Sequence, residues 1–101
     1  MDKKGLVDAV AEAIGSKKKR EIAQIIDTAF GVIVETVAIG EDVQLVRFGR
    51  FHRMWRAKRR AFSAKTGGVK DVPAHWRMNF RPSPSVREII KYGDDYNYES
   101  R

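Results

Sequence analysis

The sequence contains no cysteine among its 101 residues. Disulfides and thiolate metal sites are therefore excluded, which suits a reducing cytosol. It has two histidines, His52 and His75, and neither is spaced from an acid and a nucleophile in a catalytic arrangement. Two isolated histidines give no recognisable ligand set, so no metal and no cofactor are expected. The glycine pair in Thr66-Gly67-Gly68-Val69 lacks the lysine spacing of a phosphate-cradling nucleotide loop. No apolar run is long enough to span a bilayer, and the opening Met1-Asp2-Lys3-Lys4-Gly5 does not look like a cleaved signal peptide. An enzyme, a membrane protein and a binder of small-molecule substrates are all disfavoured.

Acid is the other scarcity, and it is scarce in one place. From Arg47 to Arg81 there are eleven basic residues, Arg47, Arg50, Arg53, Arg56, Lys58, Arg59, Arg60, Lys65, Lys70, Arg77 and Arg81, against the single acid Asp71. That third of the chain carries +10 of a total formal charge of +7, which leaves −3 for the remainder. A solvated surface mixes its signs, so a concentrated basic segment points to a polyanion. At this length one small domain is expected, with a core thin enough that dimerisation becomes a source of stability.

Asp2 is placed to cap a first helix with apolar residues at Leu6, Val7, Val10, Ala11 and Ile14, ended by Gly15. Ser16 is placed to cap a second, whose first turn reads Lys17-Lys18-Lys19-Arg20. Four cations there oppose the helix macrodipole; they are either a solvated turn or an auxiliary phosphate contact. The second helix carries Ile22, Ile25, Ile26, Ala29, Phe30, Ile33, Val34 and Val37 before Gly40. So broad an apolar face suits a core shared with a second subunit.

After Gly40 the period becomes alternating. Val43 and Leu45, extending to Arg47, form one side of a strand, with Gln44, Val46 and Phe48 on the other. Gly49 is read as a turn or bulge, and a second strand runs from Phe51 to Arg60. A return strand runs from Val69 to Phe80, with Thr66-Gly67-Gly68 as the turn. The hairpin between has few apolar side chains and is expected to order on a ligand. Trp55 and Trp76 either stack on unpaired bases or, across the two strands, anchor the base of the hairpin. Ser83 and Pro84 begin a last helix, with Val86, Ile89 and Ile90 inward and Gly93 as its stop. The polar, acidic tail at 93–101 is expected to be disordered, or to pack its tyrosines on a neighbour.

The order of these elements, with Leu6-Val7-Asp8-Ala9-Val10-Ala11-Glu12, Asp42-Val43-Gln44-Leu45-Val46, Phe48-Gly49-Arg50-Phe51, Thr66-Gly67, Val72-Pro73-Ala74 and Phe80-Arg81-Pro82, resembles the HU and integration host factor family of bacterial histone-like proteins. The resemblance covers about residues 1–92. It implies an α+β fold with two N-terminal helices, a three-stranded antiparallel sheet, a protruding β-hairpin arm at about 55–76 and a short C-terminal helix. It further implies an intertwined homodimer, or a heterodimer, whose arms lie in the DNA minor groove, a mode general to such architectural proteins. By resemblance, Arg53, Arg56, Arg59 and Arg60 fall on the outgoing arm strand, while Lys3, Arg81 and Arg87 fall where family members touch flanking phosphates. Lys58, Lys65, Lys70, Arg77, Arg50 and Arg47 complete the expected DNA-binding set. A cytoplasmic, nucleoid-associated protein is implied, or one of the virion or host cytoplasm if phage-encoded, since some phage relatives carry such tails.

Two residues depart from the family pattern. The arm tip usually reads Arg-Asn-Pro-x-Thr-Gly, with the proline wedged between base pairs. Here the register gives Phe62-Ser63-Ala64-Lys65-Thr66-Gly67, so Ala64 stands where the wedge would be. Phe62 is the large apolar side chain nearby; it either takes over the wedge or packs on its own hairpin. Arg47 replaces a family glycine and adds a phosphate contact or alters the surface beneath the DNA. The expected function is low-specificity architectural binding of double-stranded DNA, bending or coating it. RNA or single-strand binding by the arm, and capture of an acidic protein, are the alternatives.

Overall fold

The computed structural model describes residues 1–65 and 67–96. Asp2 caps helix α1, Lys3–Ile14, by accepting the Gly5 N–H at 2.9 Å. Gly15 closes it in the left-handed region, at φ 67°, where a residue without Cβ is unstrained. Helix α2, Lys19–Ala38, starts later than the sequence suggests. Ser16 Oγ accepts the Lys18 N–H at 3.1 Å, but in a turn outside the helix. Lys17 and Lys18 thereby stay out of the helix, and Glu21 sits in the first turn with the sign the macrodipole favours.

The chain divides into two compact units, one of residues Met1–Glu35 and a second beginning at Thr36. The core of the first is small: Val7, Ala11 and Ile22 are buried, with Val10, Ala23 and Ile26 packed against them. Two exposed ion pairs tie its helices, Lys3 to Asp27 at 2.8 Å and Lys19 to Asp8 at 3.1 Å. At the surface each is worth about 1 kcal/mol or less. Ile14, expected inward, is exposed, and so are Ile25, Phe30, Val32 and Val34 of α2. The broad apolar face of α2 is thus real and in large part uncovered.

The second unit holds five strands: β1 (Val43–Leu45), β2 (Gly49–Arg56), β3 (Arg59–Ser63), β4 (Gly68–Val72) and β5 (His75–Pro82). They form an antiparallel three-stranded sheet ordered β1-β2-β5 and a separate two-stranded ribbon of β3 and β4. The expected alternation through Phe48 fails, because Arg47 has φ 66° and breaks the strand. Residues 46–48 turn instead, with the Phe48 N–H bonded to the Leu45 carbonyl at 3.0 Å. Gly49, read as a turn, lies buried within β2 between Leu45 and Pro82. A Cβ there would stand 2.6 Å from the Phe80 ring and the Arg81 carbonyl oxygen, so close strand approach demands glycine. Phe80, the ring against this site, packs on Phe51 with centroids 4.7 Å apart and the planes tilted by 39°.

The hairpin is two ladders with a joint, where the sequence suggests continuous strands. Ala57 and Lys58 on one side, and Pro73 and Ala74 on the other, belong to no strand. Proline has no N–H to give the ladder, which accounts for the break. The tip turn begins at Ala64, earlier than expected, and Gly68 is already in β4. Thr66 of the expected turn lies outside the described residues.

Helix α3, Pro84–Tyr92, follows with Ser83 Oγ accepting the Val86 N–H at 3.3 Å, Pro84 in its first turn and Gly93 as its C-cap. Ile90, expected inward, is exposed. Of the expected tail, residues 97–101 lie outside the described residues. The fold is α+β, with two helices, a three-stranded sheet, an arm and a closing helix.

Candidate nucleic-acid interface

Strand pairing sorts the side chains of the sheet, since residues opposite each other share a face and neighbours along a strand alternate. The pairs Phe51–Phe80, Arg53–Met78 and Trp55–Trp76 lie on one face; Arg50–Arg81, His52–Asn79, Met54–Arg77 and Arg56–His75 lie on the other. One face is therefore aromatic and apolar, and the other is cationic. Arg50, Arg56, Arg77 and Arg81 on the cationic face are all exposed. Charge of one sign is diluted there by Asp42, whose carboxylate is 3.8 Å from Arg50 Nε.

Arg53 lies on the aromatic face, away from the other arginines of the sheet. Its guanidinium reaches the Ala38 carbonyl at the end of α2 at 3.4 Å and sits 4.0 Å from the Trp76 ring centroid. The positive charge meets both the negative end of a helix and the face of an indole. Trp55 and Trp76 pack edge to face, 5.1 Å between centroids at 69°. They anchor the foot of the arm against each other, one of the two roles open from the sequence.

Beyond the joint the arm continues the positive charge. Arg59 and Arg60 on β3 and Lys70 on β4 are exposed, as are Lys58 at the joint and Lys65 in the tip turn. Arg60 is the one of these held by an acid among the described residues, with Nε 3.3 Å from Asp71. Phe62 and Val69 face each other across the ribbon and are 72% and 61% exposed. Together they make an apolar spot just behind Ala64. Alternation shows this pairing only once the turn is fixed, which is why the sequence did not reveal Val69.

At the opposite end of the sheet, Arg47, Arg50, Arg81 and Arg87 line an open cleft of about 490 Å³ beside the first turn of α3. Four arginines lining one cleft beside a helix N-terminus favour a phosphate group. Lys3 belongs to the N-terminal unit and is engaged with Asp27. The described residues contain no cluster of His, Cys, Asp or Glu fit for a metal, and none of their helices is long and apolar enough to cross a membrane.

A family model described as bacterial DNA-binding protein matches residues 1–91. The DNA-binding protein HU of Geobacillus stearothermophilus is 34% identical over 91 residues, 90% of this chain and all of the relative. HU of Thermotoga maritima is 36% identical over 91 residues, with the same coverage. Among solved structures, an Anabaena HU–DNA cocrystal matches with a TM-score of 0.78 at 34% identity, covering 91% of this chain and 99% of that one. Thermotoga maritima HU matches with a TM-score of 0.62 at 30% identity, covering 89% and 98%. The chain belongs to the bacterial DNA-binding protein family that includes HU.

Proposed function

We propose that two copies of this chain form an architectural clamp on duplex DNA, with low sequence specificity. The observation that carries the reading is the segregation of the sheet, with Arg50, Arg56, Arg77 and Arg81 exposed on one face and aromatic packing on the other, together with the further exposed cations of the arm. Affinity comes from phosphate neutralisation by Arg50, Arg56, Arg59, Arg77 and Arg81, helped by Lys58, Lys65 and Lys70. In this reading these groups touch the DNA backbone, which carries charge but no sequence information. At about 3.3 Å per residue, the chain from Arg56 through the joint and β3 to Ala64 reaches at most about 30 Å, near one turn of duplex.

The second copy covers the exposed Ile25, Phe30, Val32 and Val34. A thin monomer core and large apolar side chains left exposed on both flanks of the packed stripe of α2 are what a dimer resolves. At the arm tip, Phe62 with Val69 behind it supplies the apolar wedge, Ala64 being too small to hold a base step open. Unstacking costs a few kcal/mol per step, and a flat ring is suited to fill the gap. The protein works at the nucleoid or, for a phage-encoded member, on DNA in the host cytoplasm.

Competition distinguishes this from capture of RNA, single strands or an acidic protein. A labelled duplex bound at low salt should be displaced by unlabelled duplexes of any sequence alike, and less well by single strands or RNA. Preferential displacement by single strands or RNA, or failure to bind any nucleic acid, would overturn the reading.

A further inference from the structure

The residues after α3 fold back toward the turn between β1 and β2, beside the arginine-lined cleft. Gly93 ends the helix at φ 70°, and the Asp94 N–H returns to the Ile89 carbonyl at 3.1 Å. From there Tyr96 reaches the turn between β1 and β2, its hydroxyl donating to the Arg47 carbonyl at 3.4 Å. Asp94, Asp95 and Tyr96, with Glu88 of α3, line a second cleft of about 230 Å³ together with Arg47. Arg47 thus lines two clefts at once, one rich in arginine and one rich in carboxylate.

Arg47 is also an unusual residue to find there. Its φ of 66° is the sole positive value for a non-glycine among the described residues. Left-handed backbone is disfavoured for an arginine by the crowding of its Cβ. That conformation puts its carbonyl under the Tyr96 hydroxyl and its side chain between the two clefts. The three acids are too few and too near the cations to act as a separate site; their place is to oppose charge.

We propose that the segment Asp94–Tyr96 is an intramolecular competitor that holds Arg47 on the acidic side and must be displaced before the four-arginine cleft receives a duplex phosphate. This rests on the duplex-binding reading above. A tethered competitor acts at high effective concentration without high affinity of its own. Its effect is electrostatic over a few ångströms, so salt weakens it together with the binding it opposes. The segment would then lower affinity most at low ionic strength and flatten the salt dependence of binding. It would leave the arms untouched.

The test is a double-mutant cycle in the full chain. Asp94→Asn with Asp95→Asn, and separately Tyr96→Phe, are made in the natural chain and in Arg47→Gly, where glycine accepts the same φ without strain. Dissociation constants for a short duplex are measured by anisotropy at two salt concentrations. The neutralised chain should bind about threefold tighter at low salt, with the gain vanishing as screening shortens the reach of the charges. Tyr96→Phe should move the same way by less. In the Arg47→Gly background both gains should disappear. Equal gains in both backgrounds would mean bulk charge rather than a contest for Arg47 and would overturn the proposal, as would no gain in either. If no form bound the duplex at all, the DNA reading itself would fall and the competitor with it.

Discussion

Arg50 and Arg81 stand directly opposite each other on β2 and β5, two like charges at one cross-strand position. Like charges so placed cost a sheet roughly 0.2–1 kcal/mol. Asp42, at 3.8 Å from Arg50, offsets part of it. A phosphate between the two guanidiniums turns the cost into attraction. Arg81→Ala should therefore weaken duplex binding while leaving thermal stability unchanged or slightly raised. Thermal unfolding beside an anisotropy titration checks both, and a clear loss of stability would count against a role in DNA contact.

Arg53 and Arg56 are three residues apart and on opposite faces, and they should fail differently. Arg53→Ala removes the contacts to the α2 terminus and Trp76 and should cost about 1–2 kcal/mol of stability. Arg56→Ala touches neither and should leave stability nearly unchanged. It should weaken binding to all sequences alike and reduce the log–log salt slope by about one for each phosphate no longer neutralised. Chemical denaturation and salt titrations of the two variants separate these outcomes.

Gly49→Ala is expected to be among the most damaging small changes in the sheet. The added methyl meets the Phe80 ring and the Arg81 carbonyl oxygen at 2.6 Å. Overpacking of this kind costs typically about 1–3 kcal/mol, and here one obstacle is backbone, which gives way least. A drop in melting temperature is expected, with duplex affinity falling only as the fold itself fails.

The ends of α1 and α3 were legible because each depends on a few neighbouring atoms. Asp2, Gly15, Ser83, Pro84 and Gly93 do what local chemistry asks of them. The break at Arg47 was not legible, since an arginine at positive φ violates the rule by which turns are read. The arm joint was hidden for a related reason: Pro73 was visible, but the alternation on both sides of it suggested one strand. In the site, the density of cations announced a polyanion. Their division between faces needed the register, and it is the register that sets Arg53 among the aromatics and Val69 beside Phe62.

Phe62→Ala addresses the arm tip. Removing an exposed, uncharged side chain should leave the fold and most of the affinity intact, because Phe62 has no charge with which to neutralise a phosphate. Bending should fall by much more than binding, as measured by energy transfer between the ends of a duplex. Equal bending before and after would remove Phe62 from the wedge role and leave it lying along the groove.

The most direct test of the clamp is a titration into a duplex of about 35 base pairs carrying a fluorophore at each end, long enough for both arms and the flanks. Anisotropy reports binding and energy transfer reports bending in the same tube, at two salt concentrations. Salt-sensitive binding of two chains per duplex with rising transfer is the expected result. Binding that ignores salt, or that leaves the end-to-end distance unchanged at saturation, would contradict the account.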